Sequence, residues 1–430
     1  MNSLKEYTFI EERVCVSPKP NKTICFSLDD EESIEYCFKK IDKIASKKKL
    51  NLILNLEHVS TYANNIIEAF CISAYKYKEK NRLDNVFIKS SLFEKTKPYL
   101  KKILDCSIIA NKIIECMQLI DSPPNIMNSE TFLEYIKMNK HTNIVIRVLN
   151  DKDLSKHNLN GILAINSGSN KPAYLLEIIY YKNTKNIEEI KNNPVILVGK
   201  GVMFDSGGLN LKKGDFKDMK SDKTGAMYVY GLLNALANSE VEGNFIGLLP
   251  IVENMISKDA VHPGDIVKAC NGKTIEISNT DAEGRIILAD ALCYAMKTIP
   301  NIKLIIDIAT LTGQASSIFG GMGTVLCHNK KAEKYSRDLQ ELGDFYLQNY
   351  WTLPVHRKFK KLLDSDVADY ISYNPNAHAD TIMAAVFLNE FVNPSTPWMH
   401  LDIAGVAYKE HATGVPMSSL FHFLKDVFTW

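Results

Sequence analysis

Apolar positions recur at two different spacings over residues 1–110. The stretches "TICFSL" (23–28), "NLILNL" (51–56) and "NVFIKS" (85–90) are short apolar runs that read as strands. Between them, "EESIEYCFKKIDKIASKKK" (31–49) and "NNIIEAFCISAYKYKEK" (64–80) repeat at helical spacing. The lysines at 47–49 suit the negative end of a helix dipole. Strand and helix in alternation predict a small N-terminal α/β domain over 1–110. Helical sequence continues through "KKILDCSIIANKIIECMQLI" (101–120) and halts at "DSPPN" (121–125), because adjacent prolines cannot sit inside a helix. Residues 111–125 therefore read as a linker helix and turn, and residues 126–430 as a second, larger domain.

In that second region the candidate strands are "NIVIRVL" (143–149), "AYLLEIIYY" (173–181), "PVILVGKG" (194–201), "GNFIGLLPI" (243–251) and "KLIIDIATL" (303–311). "TGAMYVYGLLNALAN" (224–238) and "RIILADALCYAMK" (285–297) read as helices between them. The apolar runs are continuous rather than alternating, which predicts a second α/β domain whose central sheet, expected to be mixed, is covered by helices on both faces. "KNTKNIEEIKNN" (182–193) reads as an exposed loop. The chain shows no internal repeat and no low-complexity segment.

Composition narrows the classes. A chain of 430 residues is too long for one ordinary core. With 46% hydrophobic and 23% charged residues it has the profile of a soluble globular protein. Basic and acidic residues number 51 and 50, so there is no electrostatic footprint for nucleic acid or an anionic membrane. The start "MNSLKEYTFIEERV" lacks the apolar core of a secretory signal, and no run of about 18 apolar residues predicts a membrane span. Nine scattered cysteines, none at Cys-x-x-Cys spacing, argue against a disulfide framework or zinc ribbon and for a reducing compartment. The expected location is the cytoplasm.

Chemistry concentrates in four polar clusters that interrupt the apolar framework. "VGKGVMFDSGG" (198–208) carries Lys200 and Asp205; Lys212 follows; "DMKSDKTG" (218–225) carries Asp222; and "ISNTDAEGRI" (277–286) carries Asp281, Glu283 and Arg285. Ligands of open α/β sheets gather at the carboxyl ends of strands, where the first and fourth clusters fall. Four carboxylates in one place are prohibitively costly without compensation. Two divalent cations would supply it, and a pair ~3.5–4 Å apart is a recurrent hydrolytic device. Glycines at 199, 201, 207, 208 and 284 would let the backbone approach such a centre. Lys200, made neutral by its surroundings, could serve as a ligand, while Lys212 and Arg285 would stay charged and face the substrate. A phosphate loop is the competing reading of "VGKG…SGG", but the Gly-x-x-x-x-Gly-Lys-Ser/Thr spacing is missing. The ten histidines offer no His-Glu-x-x-His and no close pair, and His400 is open to a core or subunit-contact reading.

Taken together, these stretches resemble the leucyl (cytosol) aminopeptidase family of dinuclear metallopeptidases. "NTDAEGR" (279–285) matches that family's signature, "VGKG…FDSGG…K" and "DMKSD" fit beside it, and "ATLTG" (309–313) and "HLDIAG" (400–405) also match. The similarity runs from residue 121 to the C-terminus. It implies one metal held by Lys200, Asp205, Asp222 and Glu283, and another by Asp205, Asp281 and Glu283. The implied metals are Zn²⁺ or Mn²⁺, and the implied nucleophile is a water between them. Lys212 would polarise the scissile carbonyl, and Arg285 would hold a bicarbonate acting as general base. Asp222 would meet the substrate's α-amino group. The first-residue pocket would be lined by Met219, Thr310, Leu311, Gly313, Ala404 and Ala407, small or apolar positions that favour leucine or methionine. Lys223 is the one charge that could reach this pocket. Peptides are the implied substrates, and the family's homohexamer is the implied assembly.

The chain departs from the family pattern at Lys223 and Thr224, at His378 and Asp380 within "YNPNAHADTIMAAVFL" (373–388), and in its short N-terminal domain. Two other functions compete: a dipeptidase for cysteinylglycine using the same site, and a DNA-binding or scaffold role of the same fold. The near-neutral charge speaks against DNA, as does the presence of every site residue.

Overall fold

The computed structural model describes strand residues 13–19, 22–27, 50–55 and 83–89, and residues 93–182 and 186–427; side chains are described from residue 104, with 187 and 188 excepted. The chain divides into two compact units, Met1–Glu115 and Cys116–Trp430. In the first, β1 (Arg13–Lys19), β2 (Lys22–Ser27), β3 (Leu50–Asn55) and β4 (Leu83–Lys89) form a sheet of order β2-β1-β3-β4. β1 is antiparallel to both neighbours and β3 runs parallel to β4. β1 was not expected: its alternation is short, and its pairing slips between Val16 and Lys19, where Pro18 has no N–H to give. The two helices expected over 31–49 and 64–80 lie outside the described residues.

Helix α1 (Phe93–Asp121) spans the division between the units and ends at the predicted Pro123-Pro124 stop. After it come α2 (Ser129–Asn139), β5 (Ile144–Leu149), α3 (Asp151–Lys156), α4 (Asn160–Asn166) and β6 (Tyr174–Tyr180). Among the described residues of the stretch expected as a loop over 182–193 is a short helix, α5 (Ile187–Ile190), because "IEEI" places isoleucine at helical spacing and Ile190 is buried. β7 (Val195–Gly199) and β8 (Gly201–Asp205) lead through a 3₁₀ segment (Lys217–Lys223) into α6 (Thr224–Asn238) and β9 (Phe245–Asn254). A hairpin of β10 (Ile266–Lys268) and β11 (Thr274–Glu276) precedes α7 (Glu283–Thr298). Then follow β12 (Leu304–Ala309), α8 (Gly313–Ile318), β13 (Thr324–His328), α9 (Glu333–Phe345), β14 (Tyr350–Thr352), β15 (Tyr370–Ile371), α10 (Asp380–Asn389), β16 (Trp398–Asp402) and α11 (Met417–Asp426).

The main sheet has the order β14-β13-β16-β12-β7-β9-β6-β5, with β8 also paired to β9. Its centre, β16-β12-β7-β9, is parallel, and β13, β6 and β5 add antiparallel pairs on either side. The continuous apolar runs have the expected cause. Along β7 and β9, Ile196, Val198, Ile246 and Leu248 join one core with Ile286, Ile287 and Leu288 of α7. The alternate positions face α6: a side chain at Gly247 would strike Val229 and Leu233, and one at Gly199 would strike the backbone of Gly225. Helices thus cover both faces. Cys106, Cys116, Cys270, Cys293 and Cys327 are buried and unbridged. No helix among the described residues is long and apolar enough to cross a membrane.

The ladder breaks where chemistry is needed. Val198 pairs with Leu248 and Gly201 with Ile251, so Lys200 falls opposite Pro250, which has no N–H. Lys200 turns instead to β12 and α6: its N–H donates to the Ile308 carbonyl at 3.1 Å, and its carbonyl accepts from Ala226 N–H at 2.8 Å. Its side chain is thereby aimed beyond the carboxyl end of the parallel strands.

A carboxylate–lysine cluster at the strand ends

Asp205 closes β8, Asp222 lies in the 3₁₀ segment, and Glu283 opens α7. With Asp281 they converge on two lysines. Lys200 Nζ lies 2.9 Å from Asp222 Oδ1 and 2.8 Å from Glu283 Oε1, and donates to the Thr310 carbonyl at 2.8 Å. Lys212 Nζ lies 2.6 Å from Asp205 Oδ2 and 2.5 Å from Asp281 Oδ1. The fold therefore brings together all seven charged positions picked from the sequence except Arg285, which sits one half-turn further along α7. Gly284 makes the approach possible. A Cβ there would stand 2.7 Å from Lys200 Nζ and 2.9 Å from Leu311 Cδ1.

Burial sets the electrostatics. It pushes Asp205 up to about 6, an effect the neighbouring Glu283 adds to and Lys212 and Lys200 oppose. Burial likewise lifts Asp222 and Asp281 above the ordinary carboxylate range. Glu283 is also buried, yet Lys200 and Lys212 outweigh that and hold it low. For both lysines burial disfavours the ammonium, but the surrounding carboxylates win and raise them. The sequence reading balanced four carboxylates against cations alone. With Lys200 and Lys212 inside the cluster, the excess is two negative charges.

Three buried cluster oxygens lack a hydrogen-bond partner; Asp281 Oδ1 has its ion pair with Lys212, whereas Asp222 Oδ2 and Glu283 Oε2 have neither. Oxygens of Asp205, Asp281 and Glu283 can also lie within 4.8 Å of one another. Unpaired carboxylate oxygens in such surroundings are costly unless a cation takes them, so the donor set fits a hard or borderline divalent metal.

Supporting residues lie far apart in the chain. Asn254, at the end of β9, donates to Asp205 Oδ1 at 2.8 Å and to the Thr280 carbonyl at 2.9 Å. Gly207, with φ +87°, donates its N–H to the same Asp205 oxygen at 2.9 Å. Thr310 Oγ1 donates to Asp222 Oδ1 at 2.8 Å. The loop bearing Thr310 is fastened by Asp402, which accepts from Leu311 N–H, Thr312 N–H, Thr312 Oγ1 and Ala404 N–H. Neither Asn254 nor Asp402 was singled out from the sequence. Asp402 stands in the "HLDIAG" match, which was the available signal; Asn254 lies beyond the end of the strand as read.

Among the pocket positions, Met219, Thr310, Leu311 and Ala404 are half-buried and Gly313 is exposed, with open space where its side chain would be. Ala407 is fully buried and presents no surface. Lys223 is not at this pocket. It is 0% exposed, and its Nζ donates to the carbonyls of Lys220 at 2.8 Å and Ser122 at 3.2 Å. Burial, with Lys220 nearby, lowers it to about 7. His400 belongs to the core, its Nδ1 2.5 Å from Asp307 Oδ1 and beside Trp398, which bonds the other oxygen. Arg285 directs Nη2 to Asp380 Oδ1 at 2.7 Å and Nη1 to the Ser372 carbonyl at 2.9 Å, and its Nε has no hydrogen-bond partner.

A mixed sheet with buried acids and lysines gathered at its parallel strand ends puts a candidate metal site where open α/β sheets bind their ligands. Residues 115–421 match the cytosol aminopeptidase family, catalytic domain, and the chain belongs to that family. Similar proteins include a probable cytosol aminopeptidase of Phytoplasma mali (strain AT), 39% identical over 77% of this chain and 64% of that protein's length. One from Phytoplasma australiense is 32% identical over 91% of this chain and 80% of its own length. Among solved structures, the bottromycin maturation enzyme BotP in complex with Mn superposes with a TM-score of 0.84 at 27% identity, covering 96% of this chain and 93% of that one.

Proposed function

We propose that this chain removes N-terminal residues from peptides with the help of two divalent cations, released residues with apolar, leucine-like side chains being preferred. The observation that carries the reading is the pair of partnerless buried oxygens, Asp222 Oδ2 and Glu283 Oε2, within the cluster. Asp205, Asp222, Asp281 and Glu283 would hold the cations, joined by Lys200 as a neutral amine once a cation displaces its proton. Such cations, when bound, polarise a carbonyl oxygen and make water a competent nucleophile near neutral pH. Manganese or zinc suits an oxygen set with one amine, and BotP is a relative solved with Mn.

The remaining roles belong to the chain's own residues. Lys212 keeps its charge and is 21% exposed on its side chain, so it can stabilise negative charge on the scissile carbonyl oxygen. Asp222, held by Thr310, would accept from the substrate's α-ammonium, restricting the enzyme to free N-termini. Met219, Thr310, Leu311, Gly313 and Ala404 would receive the first side chain; buried Ala407 drops out of this set. Lys223, its Nζ turned to the Ser122 and Lys220 carbonyls, brings no charge to these positions. The homohexamer and the cytoplasmic setting implied by resemblance form part of the same proposal.

The test is a panel of leucyl, alanyl, lysyl and aspartyl amides with the metal-loaded protein. Each added methylene buried contributes about 0.8 kcal/mol, so leucyl should exceed alanyl amide at least about tenfold in kcat/KM. A preference for the aspartyl amide would contradict the apolar pocket.

A further inference from the structure

Asp380 is the carboxylate that the cluster leaves over. Asp205, Asp222, Asp281 and Glu283 each pair with a lysine, whereas the ion-pair partner of Asp380 among the described residues is Arg285. That pair is tight at 2.7 Å and lopsided in burial: Arg285 is 3% exposed on its side chain and Asp380 29%. Arg285 is itself fixed by the Ser372 carbonyl. No hydrogen bond from the described residues reaches Asp380 Oδ2, so one oxygen is anchored and the other is open.

Asp380 is also fastened to both sides of the site. Arg285 lies two residues beyond Glu283 on α7. On the other side, Thr381 shares a 2.7 Å hydrogen bond with Thr312 and sends its N–H to Gln314 Oε1 at 3.2 Å. Thr312 belongs to the loop whose Thr310 holds Lys200 and Asp222. The Asp380 carboxylate is therefore tied to α7, and the adjoining Thr381 to the loop that carries Thr310.

We infer that Asp380 is a built-in proton acceptor for hydrolysis, positioned by Arg285; this rests on the aminopeptidase reading above. The attacking water gives a proton to Asp380 Oδ2 as its oxygen bonds the scissile carbonyl carbon and the C=O electron pair moves onto oxygen. When that pair returns and the C–N bond breaks, the proton passes from Asp380 to the departing amine. One water and one peptide bond are consumed, and one carboxyl group and one amine are released. In the proposed centre the cluster carboxylates would hold the cations, which leaves Asp380 as the carboxylate free of that task.

The experiment compares metal-loaded wild type, Asp380→Asn and Asp380→Ala on leucyl amide. Asn can keep the hydrogen bond to Arg285 but cannot accept the proton. Its kcat should fall by about 10² or more, with KM within about threefold and an unchanged Tm. Asp380→Ala uncovers the Nε–Nη2 edge of a buried guanidinium, which suits a small planar carboxylate. Formate should restore its rate by about tenfold or more, saturably, and should raise its Tm even after chelation; wild type should show neither response. An Asp380→Asn enzyme within about threefold of wild type in kcat would overturn the inference and leave the aminopeptidase reading intact. Loss of rate in Asp380→Ala with no formate response in rate or Tm would overturn it too, leaving Asp380 a structural clamp. A metal-loaded wild type that cleaves no aminoacyl amide would bring down the reading and the inference together.

Discussion

Lys212 and Glu283 share one cluster but differ in what their removal takes away. Lys212→Ala leaves every carboxylate oxygen in place, so metal content should hold while kcat falls about 10²–10³, the usual cost of losing an oxyanion-stabilising group. Glu283→Ala removes an oxygen that has no other partner, so metal and activity should disappear together. Elemental analysis beside steady-state kinetics separates the two; a Lys212→Ala enzyme with wild-type kcat would assign the oxyanion elsewhere. At this scale much was legible in the sequence, because Lys200, Asp205, Asp281, Glu283 and Arg285 stand in short contiguous motifs. Asn254, Asp402 and Asp380 were not legible as site residues. Each acts on a partner that the fold brings from 49 to 95 positions away, as Asn254 does on Asp205 and Asp380 on Arg285.

Elements carry the site by where they stop. β7 breaks at Lys200, opposite Pro250, and α7 begins at Glu283, so strand end and helix start deliver a lysine and a glutamate to one point. The helix boundaries 224–238 and the strands around 195–199 and 304–309 followed from apolar runs of decisive length. β10, β11, β14 and β15 escaped because strands of two or three residues leave no period to read. α7 also caps α4 across the core: Asp290 accepts the Ile162 N–H at 3.0 Å. Burial pushes Asp290 up to about 7 from 3.8, against the pull of the Ile162, Gly161 and Cys270 N–H groups. A folded value above the ordinary one means the carboxyl favours the fold when protonated, and that contribution drains away as pH rises from about 4 to about 7. Asp290→Asn removes the slope while keeping an acceptor. Its Tm relative to wild type should therefore climb across that window, and a constant difference would show that Asp290 does not titrate there.

At the scale of the whole molecule, the two-sided sheet supplies rigidity and the cluster at its edge supplies a local instability. An excess of two negative charges in a buried site opposes folding until cations balance it. Divalent metal should therefore stabilise the folded chain, by about 2.7 kcal/mol at a hundredfold excess over Kd, and calorimetry with and without chelator reads that difference. The α/β class of the chain was visible in alternating periods. The central claim, that the cluster is a metal-loaded peptidase centre, is met most directly by titrating chelator-treated protein with Mn²⁺ or Zn²⁺ and following hydrolysis of leucyl amide at each metal content. The account predicts no turnover without metal and a rise to a plateau at about two ions per chain. Full activity in protein that elemental analysis shows to be free of divalent metal would contradict it.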